Sequence, residues 1–133
     1  MNPATSAPQR DRVEAFRQRH RTGLVTLVFT DLVDSVALRR DLGDQAATTL
    51  FQEHRRRVRE LLRRAQDCEE IETAGDSFLL LFSRPSDAVK FALLLQRQVR
   101  MLAQEQETTG LTSSRALRNR WTFARWVRRR WGF

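Results

Sequence analysis

LVTLVFTDLVDSV, residues 24–36, begins with six aliphatic, aromatic or β-branched residues and then delivers a carboxylate, Asp31, with Asp34 three residues on. Leu24–Phe29 is apolar on both alternating faces, the pattern of a strand covered from two sides. A second such run lies in CEEIETAGDSFLLLF, residues 68–82. There Ile71 sits among glutamates, Gly75-Asp76 is a turn signal, and Phe78–Phe82 is fully apolar, which predicts two strands joined as a tight hairpin.

Helical spacing fills the intervals. After the punctuation at Gly43-Asp44, residues Ala47, Leu50, Phe51, His54, Val58, Leu61, Leu62 and Ala65 form one apolar stripe of a long helix. Its other face, including HRRRVRELLRR, reads as a solvated charged surface. Ser83 and Pro85 suit a helix start, and Ala88, Phe91, Ala92, Leu95, Val99 and Leu102 continue as a second stripe. The order strand, helix, strand, strand, helix is the βαββα opening of a ferredoxin-like α+β plan, with helices expected on one face of a mixed sheet. Nothing after Gln106 has the character of a closing strand. Residues 1–22 read as a flexible lead-in ending in a charged helical segment, 11–21. The domain is placed at 23–107 and a separate tail at 108–133.

The 133 residues suffice for one domain, and no apolar run reaches the ~18–20 residues of a membrane span. The polar, charged N-terminus lacks the apolar middle of a signal peptide, so a cytoplasmic location is expected. Cys68 is the single cysteine and reads as a free buried thiol, while His20 and His54 are too few for a histidine metal cage. The net charge of +8 is unevenly spread. Residues 111–133 hold seven arginines, no acid and all three tryptophans, which leaves 17 of the 24 basic residues against all 16 acids before them, a net of +1. The basicity belongs to the tail, so a nucleic-acid partner is not expected of the body. The tail has two readings. One is a truncated or out-of-frame product of a GC-rich gene, consistent with Lys90 as the only lysine. The other, less favoured, is a basic aromatic segment on an anionic membrane or nucleic acid.

The strand order bears on the two acids. In a ferredoxin-like sheet the first and third strands are neighbours, so Asp31 at one strand end and Asp76 in the hairpin converge on one sheet end. Two such carboxylates repel unless a divalent cation joins them, and hard oxygen ligands without histidine suit Mg²⁺ or Mn²⁺ shared with substrate phosphates. The plain alternative is that Asp31 caps the next turn and Asp76 is an ordinary hairpin residue.

VTLVFTDLVDSVALRRDLGD and, about forty residues later, EEIETAGDSFLLLFSRPSDAVKFALLLQ resemble the catalytic domain of class III adenylate/guanylate cyclases over residues 23–104. The family patterns are F-T-D-I-x-G-S-T, a K-T-x-G-D-G-F turn and F-x-x-P-x-x-A-x-x-A. The resemblance implies conversion of ATP or GTP to a 3′,5′-cyclic nucleotide and pyrophosphate, with two Mg²⁺ or Mn²⁺ ions, in intracellular cyclic-nucleotide signalling. It makes Asp31 and Asp76 metal ligands, with the Leu32 carbonyl, and brings the amides of Val33, Asp34, Ser35 and Val36 to the phosphates. Asp34 stands where the pattern has glycine, and Val36 where it has threonine. Glu72 occupies the base-selecting position. Glutamate there is similar to guanylate cyclases, although Glu72 also reads as a strand residue facing water like Glu69 and Glu70.

The family continues with an R-V-G-I-H-x-G strand and a helix carrying a catalytic Asn/Arg pair four residues apart. Neither occurs here, and the adjacent Asn119-Arg120 does not reproduce the pair. The resemblance therefore implies an incomplete cyclase domain, inactive alone, in a homodimer or in a heterodimer with a complete cyclase chain. The alternatives are a non-catalytic regulatory module that pairs with such a chain, or a binder driven by its tail. An uncovered sheet edge would favour dimerisation or poor solubility.

Overall fold

β1, residues Thr26–Thr30, occupies the centre of the apolar run that opens the domain. It is one of seven elements in a computed structural model that describes residues 9–32 and 34–108. In chain order these are α1 (Gln9–His20), β1, α2 (Ser35–Leu42), α3 (Asp44–Arg64), β2 (Cys68–Ala74), β3 (Ser77–Phe82) and α4 (Pro85–Thr108). The tail and the sought closing strand fall outside the described residues. None of the described helices is long and apolar enough to cross a membrane.

The strands form a sheet in the order β1-β3-β2, with both pairs antiparallel. The sheet is thus antiparallel throughout, not mixed. The helical crossover returns β2 parallel to β1 with a strand-wide gap between them, and the hairpin fills that gap with β3, antiparallel to both. This is the βαββα arrangement of the ferredoxin-like plan.

Strand alternation sorts the side chains. Val28, Phe78, Leu80 and Phe82 face α3 and α4, where the main core also takes in Leu50, Phe51, Val58, Phe91 and Leu102. Ile71, Leu79 and Leu81 face the other way, onto Phe16 of α1. Helices therefore cover both faces, where the sequence predicted one. Residues 9–20, read as a lead-in, dock because Phe16 is fully buried and because Arg12 donates to the carbonyls of Glu70 (2.8 Å) and Ile71. Those two carbonyls flank a β-bulge between Glu70 and Glu72 on outer strand β2. The bulge frees backbone acceptors, and one guanidinium serves both.

The crossover holds two helices, not one. Gly43, at φ 82°, donates its N–H to Arg39 O (2.9 Å) and closes α2 before α3 begins. A positive φ with an extended ψ of 159° is a conformation that glycine alone adopts readily. Among the described residues β1 is an outer strand, with Leu27 and Phe29 exposed on the sheet face that α1 partly covers.

Candidate functional site

Asp31 follows directly on β1, whose last residue, Thr30, pairs with Phe78. One step further along the same register, the Ser77 hydroxyl donates to Asp31 Oδ1 at 2.7 Å. Asp76 precedes Ser77 in the two-residue turn of the hairpin, beside Gly75 at φ 62°. The chain thus brings Asp31 and Asp76 to one end of the sheet, joined through Ser77. Asp31 is exposed, whereas Asp76 is half-buried. Asp76 Oδ2 is shut off from solvent without a hydrogen-bond partner among the described residues. A carboxylate oxygen so placed loses hydration without recovering it, and a cation or an N–H is what it lacks.

The hairpin turn is tied from the helix layer. Arg55 of α3 donates from Nε to the Gly75 carbonyl at 2.8 Å, with its Nη2 on the same oxygen. One turn along α3, Arg59 forms a two-pronged pair with Glu70, each bond 3.0 Å, and holds its carboxyl below the usual range; the Thr73 hydroxyl adds to this. The same guanidinium lies 5.8 Å from the Phe78 ring centroid. The arginine run on α3, expected to be merely solvated, therefore fixes β2 and the turn that carries Asp76. The signal was available in part, since Arg55 and Arg59 are four apart and share a helix face.

The remaining candidates divide. Leu32 is buried in the main core, which directs the chain from β1 into α2. Asp34, exposed, is the N-cap of α2 in the left-handed conformation, φ 60° and ψ 44°, and makes no side-chain capping bond. That conformation accounts physically for a glycine in the resembling motif: the backbone here favours a residue without Cβ, and aspartate is one of the few others that tolerate it. Ser35 is half-buried and Val36 largely exposed. Val33 lies outside the described residues. Glu72 is exposed on the α1 face, where its carboxylate accepts from Gln9 Nε2. Glu69 and Glu70 do not simply face water: Glu69 pairs with Arg19 and Arg12 of α1, and Glu70 with Arg59 on the other face. Alternation puts them on opposite faces, so the two flanking helices each claim one.

Cys68, expected to be buried, is half-buried, and its thiol donates to the Leu62 carbonyl at 3.4 Å. Burial and the nearby carboxylates of Asp67 and Asp87 push its pKa up, which keeps it a thiol. No group of three or more His, Cys, Asp or Glu side chains with metal-binding geometry occurs among the described residues.

The adenylate and guanylate cyclase catalytic domain family matches residues 17–118. The chain belongs to this family. It is 41% identical over 96 residues to the receptor-type adenylate cyclase GRESAG 4.3 of Trypanosoma brucei brucei, a match that covers 70% of this chain and 7% of that one. Two solved structures of Trypanosoma brucei adenylate cyclases in their monomeric state are also similar. One is 39% identical with a TM-score of 0.53, covering 56% of this chain and 31% of its own; the other is 34% identical with a TM-score of 0.55, covering 73% and 37%. The chain thus spans a small part of the receptor-type relative and about a third of the solved cyclase chains. The cyclase match takes in β1 and the hairpin, which carry Asp31 and Asp76, and α4.

Proposed function

We propose that this cyclase domain supplies the metal-binding half of a nucleotide cyclase site. Asp31 and Asp76 are its ligands, with the Leu32 carbonyl, and ATP or GTP is its substrate. The observation that supports this most directly is the meeting of Asp31 and Asp76 at one sheet end, with Asp76 Oδ2 buried and without a donor among the described residues. Mg²⁺ or Mn²⁺ suits that donor set, because both ions take hard oxygen ligands and share them with phosphates. When bound, the ions supply charge stabilisation for phosphoryl chemistry at the ribose 3′-hydroxyl and the departing pyrophosphate. The protein's part is placement. β1 and β3 hold the two carboxylates through the Ser77 bridge, Arg55 fixes the turn, and the first turn of α2 offers backbone N–H groups from Asp34 to Val36 toward the phosphates. Glu72 is the base-recognition candidate, on the same sheet face as Asp31.

In this reading the chain has little cyclase activity alone, because no Asn followed four residues later by an Arg occurs in these 133 residues; charge-stabilising groups of that kind contribute factors of roughly 10²–10³ each. Activity then requires a partner that brings the complementary half, in a homodimer or with a complete cyclase chain, in the cytoplasm. The test is equilibrium dialysis with Mn²⁺ and labelled ATP or GTP. Asp31→Asn and Asp76→Asn should each abolish Mn²⁺-dependent binding while the far-UV circular dichroism is kept. Retention of binding in both variants overturns the assignment.

A further inference from the structure

At the end of the sheet opposite Asp31 and Asp76, a cavity of about 490 Å³ opens between the end of α3 and the start of α4. The six-residue β3 separates it from the acidic end, roughly 17 Å at the rise of an antiparallel strand. Its apolar lining is Leu61, Ala65, Phe91 and Leu94. Its charged lining is Arg64, Arg84 and Lys90 against one carboxylate, Asp87, a net of +2. Asp87 is shared, with Arg84 at 2.9 Å and Lys90 at 3.7 Å, so one acid holds two cations in place and neutralises only one of them. Arg64 pairs at 2.9 Å with Glu60, which is not part of the lining.

The backbone adds to the same sign. Ser86 and Asp87, in the first turn of the 24-residue α4, line the cavity, and that helix end is electropositive. Two of the carbonyls at the end of α3, whose partial charge would oppose an anion, are already engaged. The Ala65 N–H contacts both Leu61 O and Leu62 O at 3.1 Å, and the Cys68 thiol also donates to Leu62 O. Residues 111–133 carry seven arginines and no acid, so the chain's own C-terminal segment has the wrong charge to fill the space.

We propose that this cavity binds a small amphipathic organic anion, with its acidic group at Arg84 and Lys90 and its apolar body against Leu61, Phe91 and Leu94. A volume of this size matches small-molecule sites, which pair an apolar lining with a few directing polar groups. The site is separate from the nucleotide site and does not depend on that assignment.

The experiment is an NMR titration of the full chain with three probes: decanoate below its micelle concentration, decanol, and inorganic phosphate. Decanoate should bind saturably, at least tenfold more tightly than either other probe, with shifts centred on Ala65, Phe91 and Leu94. Lys90→Glu, at a largely exposed side chain, should weaken decanoate at least tenfold with unchanged circular dichroism. Asp31→Asn should leave it unaltered, which separates this site from the acidic end. Equal affinity for decanol removes the role of charge, and equal affinity for phosphate removes that of the apolar lining. Shifts centred on exposed Leu27 and Phe29, or an unaffected Lys90→Glu variant, likewise overturn the proposal.

Discussion

The two faces of the sheet are held by different physics. On one, sixteen buried side chains among the described residues, from the sheet, α2, α3, α4 and the β1–α2 turn, form a continuous core, and the Phe82 and Phe91 rings meet at a tilt of 47° with centroids 5.3 Å apart. On the other, among the described residues, Phe16 of α1 is buried with Ile71 and Leu81, half-buried Val13, Val25 and Leu79 pack against them, and polar pairs complete the attachment. There Arg12 and Arg19 reach Glu69, Gln9 reaches Glu72, and His20 contacts Asp67 at 3.2 Å. Exposed ion pairs contribute on the order of 0–1 kcal/mol each, and a buried phenylalanine side chain about 1.5–3 kcal/mol. The first face therefore carries most of the stability of the domain, and the second is a helix attached by a small apolar cluster centred on one aromatic ring. Glu72 lies on that second face, so whatever loosens α1 also frees the base-recognition candidate from Gln9.

The largest effect expected on this contrast is Phe82→Ala, which should cost about 3–5 kcal/mol of global stability in urea unfolding. Phe16→Ala should cost less, because α1 can come away as a unit while the main core stays folded. Amide exchange should then rise in α1 and remain unchanged in α3 and α4. If Phe16→Ala lowers the urea midpoint as far as Phe82→Ala does, the two faces form one cooperative unit and the contrast fails.

Next in size is a pH effect within the main core. His54 is 3% exposed and packs its ring 6.1 Å from Phe78, edge to face. Burial, with Arg55 adding repulsion, pushes its pKa down to about 4 from an ordinary 6.5. The folded state thus holds a neutral imidazole that the unfolded chain protonates. Stability should be level above pH 6.5 and fall as pH drops toward 4, by about 3 kcal/mol in all. His54→Leu should remove that slope. Glu53 acts in a lower window. Its bonds to Arg56 and Arg57 pull its pKa down to about 2, so its contribution is complete above 4.5 and is lost as pH falls through 2. A wild-type slope confined below pH 4.5 would assign the effect to Glu53 and not to His54.

The smallest predicted effect concerns the acidic end. Asp34→Gly relieves a left-handed backbone at the start of α2 but also loosens the unfolded chain, so the net gain should be about 0.5 kcal/mol. A loss of stability in urea unfolding would mean that the aspartate side chain holds the turn.

Much of this was legible in the residues. The apolar runs marked β1 and β3, Gly75-Asp76 marked the hairpin, and the stripes from Ala47 and Ala88 marked α3 and α4, because one buried face imposes its period on the chain. The convergence of Asp31 and Asp76 followed from the strand order. The docking of α1 was not legible: one phenylalanine among charged residues leaves no stripe, and its seat, a bulge beside Ile71, exists only once β2 pairs with β3. Nor was α2, whose eight residues bury only Ala37 and Leu38. The roles of Arg55 and Arg59 were hidden too, since a solvated arginine and one that fixes a turn are the same letter.

By itself, then, the sequence determined the order of the three strands and the two long helices, the antiparallel hairpin, the family and the delivery of two carboxylates to strand ends. All of these depend on local pattern or on motif spacing along the chain. Only the tertiary structure decided which face α1 covers, that Ser77 bridges toward Asp31, that Asp76 keeps a buried oxygen without a donor among the described residues, and that a cationic cavity lies at the far end. Each of those arises from groups distant in sequence whose distances are set by packing, and no periodicity in the chain encodes them.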